Sequence, residues 1–322
     1  MTDSIKAIPV HGLLILFSLN SAALAQSEIE QGRELFNNKK YAEARSIFEK
    51  ILNGSDHQAE AHYYLGSIYL RFDRDADKAI DHLERAIEAE NSNAKYHLML
   101  SNALGAKAMQ SNMLKQAFLA PKIKKAMEKA VELDPNYPEA RMALTQFYVM
   151  APGIMGGSIE KAKEQADALV KLDAYQGFMA YGSIYNHEED WQSAEVYFKK
   201  AIAAQPLKAA PYHQLGYMYL KQKRTKEAVE LFKKMVEYDP ANANSYDSLG
   251  DGYVADNKLD DAIDAYKKAV SVDPKFGPSV FNLAKCYEKK NMKKEAKDNY
   301  KRYLALVPTG SQADEARSKL DE

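Results

Sequence analysis

ANSYDSLGDGYVADNKLDDAIDAYKKAVSVDPKF, residues 243–276, reads as two amphipathic helices joined by short turns. Tyr246, Leu249, Gly250 and Tyr253 follow one another at spacings of 3, 1 and 3, so they share one helical face. Ala262, Tyr266 and Ala269 do the same on a second helix, at spacings of 4 and 3. Asp256-Asn257-Lys258 supplies the turn between them, and Pro274 stops the second helix because its ring cannot continue the ladder. The unit is 34 residues long, and its pattern returns one unit away in both directions. One step back stand Tyr212, Leu215, Gly216, Tyr219, Ala228, Phe232, Met235 and Pro240. A second step back gives Phe178, Tyr181, Gly182, Tyr185, Ala194, Phe198, Ala201 and Pro206. One step forward gives Val280, Leu283, Ala284, Tyr287, Ala296, Tyr300, Tyr303 and Pro308.

Counted from Ala243, these residues occupy positions 4, 7, 8, 11, 20, 24, 27 and 32. That pattern of aromatic, Leu-Gly, Tyr, Ala, large apolar, Ala and Pro resembles the tetratricopeptide repeat (TPR). The resemblance implies an all-α fold, a right-handed α-solenoid of about eight helix-turn-helix repeats. The expected repeats lie near 25–58, 59–93, 94–137, 138–174, 175–208, 209–242, 243–276 and 277–310. Residues 311–322, with Ala313, Ala316 and Leu320 at helical spacing, read as a C-terminal capping helix.

The early repeats depart from the pattern. In the first, Gly32, Leu35, Ala44 and Phe48 are in phase, while Glu28 and Gln31 make its outer side polar. The second carries one inserted residue before Ala79, Leu83 and Ala86. The third is 44 residues long, ten more than the standard unit, and the fourth has an expanded turn around Pro152–Ser158. Gly32, Gly66, Gly182, Gly216 and Gly250 all fall at position 8, where each costs about 1 kcal/mol against Ala in a helix. The expected compensation is close approach of the paired helix at the Ala of position 20.

Of the 322 residues, 46% are apolar and 28% charged, with a net charge of −1. That composition excludes disorder and argues against nucleic-acid binding, which needs a basic footprint. Residues 1–25 read as an export signal: Lys6, an apolar run centred on Leu13–Phe17, then Ala23-Leu24-Ala25 as a cleavage site before Gln26. The expected location is therefore periplasmic or secreted, with no membrane span after cleavage. Cys286 is the one cysteine, so no intrachain disulfide can form, and it reads as a small buried apolar residue.

No catalytic motif appears. The Gly-rich stretch Pro152–Ser158 lacks the Lys-Ser/Thr ending of a phosphate-cradling loop, so Ser158 reads as a helix cap. His62 and His97 fall at a packed repeat position and read as core histidines; His187 and Trp191 read as turn residues. No spacing suggests a metal site, and no cofactor is expected. The repeats, leader and tail use up the chain, so an enzyme is not expected.

In TPR proteins, positions 2, 5, 9, 12 and 13 of each first helix line the concave face that holds peptides or partner proteins. Carried onto this chain, the rule selects Tyr63, Arg71, Asn102, Met142, Gln146, Met150, Met179, Asn186, His187, His213, Tyr217, Asp247, Asp251, Phe281 and Lys285. No three consecutive repeats supply the Lys and Asn set with which some TPR co-chaperones clamp a C-terminal carboxylate. Residues 91–127 contain six lysines and no acid, and eight of the twelve methionines lie between Met99 and Met179. This stretch reads either as a recognition surface for a segment with apolar and acidic character or as an irregular core solvated by lysine. Six aspartates in 244–266 and eight basic residues in 285–302 would allow head-to-tail self-association, although solvated faces explain them as well. The expected function is a non-catalytic scaffold that binds a peptide or partner protein in the cell envelope. The competing expectation is a periplasmic small-ligand-binding component of a transport system, which would need a deep apolar pocket near repeats three and four.

Overall fold

The computed structural model describes residues 27–54 and 57–321. The leader, residues 1–25, lies outside them. Among the described residues there are seventeen α-helices and no strand. The chain divides into two compact units, Met1–Gln165 and Ala166–Glu322, with the division inside the eighth helix.

The first unit contains α1 (27–37), α2 (Tyr41–Ile51), α3 (Gln58–Ile68), α4 (Ala76–Ala89), α5 (Ala94–Met109), α6 (Met113–Leu133), α7 (Pro138–Met150) and the start of α8 (Ile159–Leu172). The second holds the rest of α8, then α9 (Ala174–His187), α10 (Trp191–Ala204), α11 (Ala209–Lys221) and α12 (Thr225–Tyr238). It continues with α13 (Ala243–Ala255), α14 (Leu259–Val272), α15 (Gly277–Lys289), α16 (Lys293–Leu306) and α17 (Ser311–Asp321). From α2 to α7 and from α9 to α17 each helix packs against the next in sequence, so the units are stacks of helical hairpins.

The turn inside each regular hairpin has a specific chemistry. Glu189, Lys223, Asn257 and Asn291 recur every 34 residues, each in the left-handed region at φ of 58° to 60°. The amide after each one donates back to the carbonyl of the position-11 tyrosine, as in Arg224 N–H to Tyr219 O at 2.9 Å and Lys258 N–H to Tyr253 O at 2.9 Å. These bonds satisfy carbonyls that the helix end leaves open, which is why the chain reverses there. Helix starts are fixed by side-chain caps, among them Asp173 Oδ1 accepting from Gln176 N–H at 3.1 Å and Asp190 Oδ1 accepting from Ser193 N–H at 3.1 Å.

The position-8 glycines are explained by a different contact from the one the sequence suggested. A Cβ at Gly182 would lie 2.5 Å from Phe198 Cε1, and Gly32 is equally close to Phe48. Gly216 and Gly250 meet Phe232 and Tyr266 in the same way. The glycine therefore faces the large residue at position 24 first, and at Gly66 the backbone carbonyl of Ala79, at position 20, also comes within 3.1 Å of a Cβ. Those rings are buried and form the centre of each hairpin.

The irregularities resolve into local devices. The residue inserted in repeat two is absorbed by a π-helical turn, Tyr69–Asp73, which leaves Gly66 in register with Leu83. The ten extra residues of repeat three form no loop; they lengthen α5 to 16 and α6 to 21 residues. The expanded turn of repeat four contains a 3₁₀ turn, Gly153–Met155, and Gly156 at φ 97°. Ser158 Oγ accepts from Lys161 N–H at 3.3 Å, the expected cap of α8. At the C-terminus α17 buries Ala313 and Ala316 against the last hairpin, where Tyr303 Oη donates to Gln312 at 3.1 Å.

Candidate functional site

The row of first-helix side chains is best ordered in the second unit, where α11, α13 and α15 are successive first helices. His213 and Tyr217 come from α11, Asp247, Ser248 and Asp251 from α13, and Ser279 and Asn282 from α15. Successive first helices lie side by side, so side chains about one repeat apart meet. Tyr217 Oη donates to Asp251 Oδ2 at 2.6 Å across 34 residues of sequence. Ser279 Oγ donates to Asp247 Oδ1 at 2.6 Å, and Asn282 Nδ2 lies 3.4 Å from both Asp247 Oδ1 and Asp251 Oδ1. Tyr266, the ring that fills the glycine notch, donates from its hydroxyl to Asp251 Oδ1 at 2.6 Å. One polar chain thus ties three hairpins together.

Its electrostatics follow from burial. Asp247 is only 7% exposed, and desolvation, with the Asp251 charge beside it, pushes its carboxyl up to about 6 against the hydrogen bonds from Ser279 and Asn282. Burial, then the Asp251 carboxylate, drives the Tyr217 and Tyr266 phenols upward, so both remain neutral donors. Burial lowers the His213 imidazole, although Asp251 opposes it; its ring lies 4.7 Å from that of Tyr217. The arrangement has two carboxylates held by neutral donors. It has no base hydrogen-bonded to a nucleophile and oriented by a third group.

The other predicted row residues of this unit vary. Met179 is half-buried against the core beneath α11, and His187 is exposed at the end of α9. Asn186 Oδ1 is buried with no hydrogen-bond partner among the described residues. Phe281 does not offer its ring to the surface: at 2% exposure it packs 5.0 Å from Tyr303 and 5.8 Å from Tyr300, as core. Lys285 pairs with Glu315 of α17 at 3.3 Å. The C-terminal helix and the two tyrosines of α16 occupy the side of α15 that the rule assigns to a partner.

In the first unit Tyr63 stacks on Tyr96 at 5.1 Å. Both border a cavity of about 360 Å³ beside the two-pronged Arg33–Glu60 pair, whose contacts are 2.5 and 2.6 Å. Asn102, Gln146 and Met150 are exposed, Met142 is half-buried, and Arg71 is exposed within the π turn. His97 is buried, its Nε2 3.0 Å from Asn91 O and Oδ1. His62 has a partner that sequence reasoning missed: His82 Nδ1 lies 2.9 Å from His62 Nδ1. With the inserted residue counted out, residue 82 stands at position 23, beside Leu83 at position 24, so the repeat pattern did not announce the pair.

Three family profiles described as tetratricopeptide repeat match residues 35–103, 209–242 and 248–311. A tetratricopeptide repeat protein from Parabacteroides merdae superposes with a TM-score of 0.60 at 14% identity, covering 80% of this chain and 97% of that one. Chains of the APC/C hetero-tetramer Cut9-Hcn1 give a TM-score of 0.51 at 15% identity, covering 91% of this chain and 55% of that one. No curated protein matches the sequence.

Proposed function

From the premise that the chain belongs to the tetratricopeptide repeat family, we propose that it is an exported, non-catalytic scaffold. In this reading it holds a peptide or partner protein in the cell envelope. The observation that carries the reading is the contact of first-helix side chains across successive hairpins, Tyr217 on Asp251 one full repeat away and Ser279 on Asp247. It makes the row on α11, α13 and the middle of α15 one connected, preorganised strip rather than a set of isolated side chains. TPR proteins in general are scaffolds, and the polar chain lacks the activated nucleophile that a reaction would need. The export part rests on the leader sequence of residues 1–25.

The competing transport reading asks for a deep apolar pocket near repeats three and four. The cavity of about 600 Å³ in that region is lined by Glu84, Glu128, Glu132, Lys122, Lys125 and Lys129 beside Leu100 and Leu104. Ile87 and Ala126 add to its apolar wall, so this cavity supports the transport reading as the second one.

Two measurements test the proposal. Amino-terminal sequencing of the protein recovered from the cell envelope is expected to start at Gln26; recovery of the intact leader in the cytoplasm would contradict export. Crosslinking capture from the envelope should retain a defined protein with the wild type and lose it with a Gln146→Lys, His213→Glu double variant. Identical capture by both proteins would remove the row from the binding site.

A further inference from the structure

The third hairpin is longer than the regular ones, with helices of 16 and 21 residues where α11 and α12 have 13 and 14. The added turns lie where the two helices join. The buried face of α6 is formed by Leu119, Ala120, Ile123, Ala126 and Ala130, so its first six residues precede the first buried one. Four of those six, Met113, Leu114, Ala117 and Phe118, are nevertheless apolar. Met109 is 87% exposed, Met113 79%, Leu114 82% and Phe118 68%. Side chains with so much of their surface accessible cannot line a groove, because a groove wall would cover them. They project from the end of the hairpin, and a soluble protein seldom leaves such a cluster in water without use.

The hairpin end itself carries charge of one sign, while Asp77 of α4 faces Lys107 and Lys115, and Glu84, Glu128 and Glu132 border the cavity that Lys122 and Lys125 line. Residues 91–127 carry six lysines and no acid. Lys107 is engaged with Asp77, whereas Lys115, Lys122 and Lys125 are exposed. Leu114, Phe118, Lys122 and Lys125 lie along one stripe of α6, and Lys122 Nζ sits 5.1 Å from the centre of the Phe118 ring. At 1.5 Å per residue, Lys122 and Lys125 stand roughly 12 and 16 Å behind Leu114 along the helix axis. An amphipathic element buries its apolar part about 5–10 Å into the boundary between headgroups and acyl chains. The two lysines are then held at the level of the lipid phosphates, and Lys115 reaches that level by extending its stem.

We infer that the projecting end of the α5–α6 hairpin docks on an anionic lipid bilayer. Its apolar side chains enter the interface and its lysines meet the phosphates. A fluid bilayer moulds around a convex apolar tip, whereas a folded protein partner would need a matching cavity. This inference uses residues outside the first-helix row and stands independently of the partner proposed for it.

The test is co-sedimentation of the full chain with vesicles of phosphatidylcholine, or of equimolar phosphatidylglycerol and phosphatidylcholine. One variant carries Met113→Ser, Leu114→Ser and Phe118→Ser; another carries Lys115→Gln, Lys122→Gln and Lys125→Gln. All six side chains are exposed, and an unchanged far-UV spectrum and urea midpoint will show that each variant folds. Should the serine variant fail to fold, the lysine variant decides alone. The leader is common to every protein compared, so differences report the hairpin. Wild type is expected to prefer the anionic vesicles, the lysine variant to lose about a hundredfold in partitioning, and the serine variant to lose the preference as well. Equal binding to both lipids, or unchanged binding by both variants, would overturn the inference. So would a synthetic Leu–Glu amphipathic peptide that binds wild type but neither variant while no vesicle does, since that outcome assigns the tip to a protein.

Discussion

Replacing Gly250 with alanine should destabilise the protein, although alanine is the better helix former by about 1 kcal/mol. The new Cβ would stand 2.7 Å from Tyr266 Cδ1 and Cζ, where carbon atoms ordinarily sit about 3.5–4.0 Å apart. The ring must retreat by about 1 Å. It has little room, because Tyr266 is 2% exposed and its hydroxyl is held by Asp251 at 2.6 Å. Overpacking of this kind costs about 1–3 kcal/mol, and loosening a hydrogen bond to a carboxylate adds about 1.5–3 kcal/mol. Against the propensity gain, the net expectation is a loss of about 2–5 kcal/mol. Gly105, also inside a helix, supplies the control: a Cβ there meets nothing within 4 Å, so Gly105→Ala should stabilise by about 1 kcal/mol. Urea unfolding followed by far-UV circular dichroism measures both. A stabilising Gly250→Ala, or equal effects at the two sites, would refute the account of why glycine recurs at position 8.

Further expectations follow from individual residues. Lys223 occupies a left-handed turn at φ 60°, a conformation costing a side chain about 1–2 kcal/mol, so Lys223→Gly should raise the urea midpoint. The Asp247 carboxyl is raised to about 6. The folded state therefore holds a proton that the unfolded chain releases near pH 4, and stability should fall by roughly 3 kcal/mol as pH rises through that window. Asp247→Asn should abolish the slope as read by Trp191 fluorescence. Burial and the neighbouring His82 lower His62 to about 4, so the first unit should lose stability as pH falls below about 6.5, the sign for a depressed histidine. Amide exchange in α3 should accelerate in acid, and His62→Gln should flatten that response. Burial pushes the Cys286 thiol up to about 11, so thiol reagents should label it only when urea unfolds the protein.

The hairpins were legible because one residue type recurs at one phase: Pro274 and its equivalents end helices, and Tyr253 and its equivalents mark the turns. Asn257 announced its turn by its own chemistry, but Glu189 and Lys223 did not, since neither favours a left-handed backbone; only their 34-residue spacing carries the signal. The glycine contact was misread because sequence periodicity gives the face of each helix but not the depth of its partner. A ring at position 24 reaches where the alanine at position 20 does not. The binding row was assigned by phase, and phase placed Tyr217, Asp247 and Asp251 in one connected strip. It failed for Phe281 because α17, beyond the last repeat, and the tyrosines of α16 enclose that end. The insertion in repeat three read only as ten extra residues; that it extends two helices and exposes Met113, Leu114 and Phe118 required the side-chain environment.

The most direct test of the proposal that this molecule works by presenting its first-helix row is photocrosslinking in living cells. A benzophenone side chain would be placed in turn at Gln146 and His187, and at Lys200 and Lys268 on second helices. Discrete adducts to the same protein from the first pair and none from the second are expected. Adducts from the second pair alone, or none from any site while the chain turns over a substrate, would contradict it.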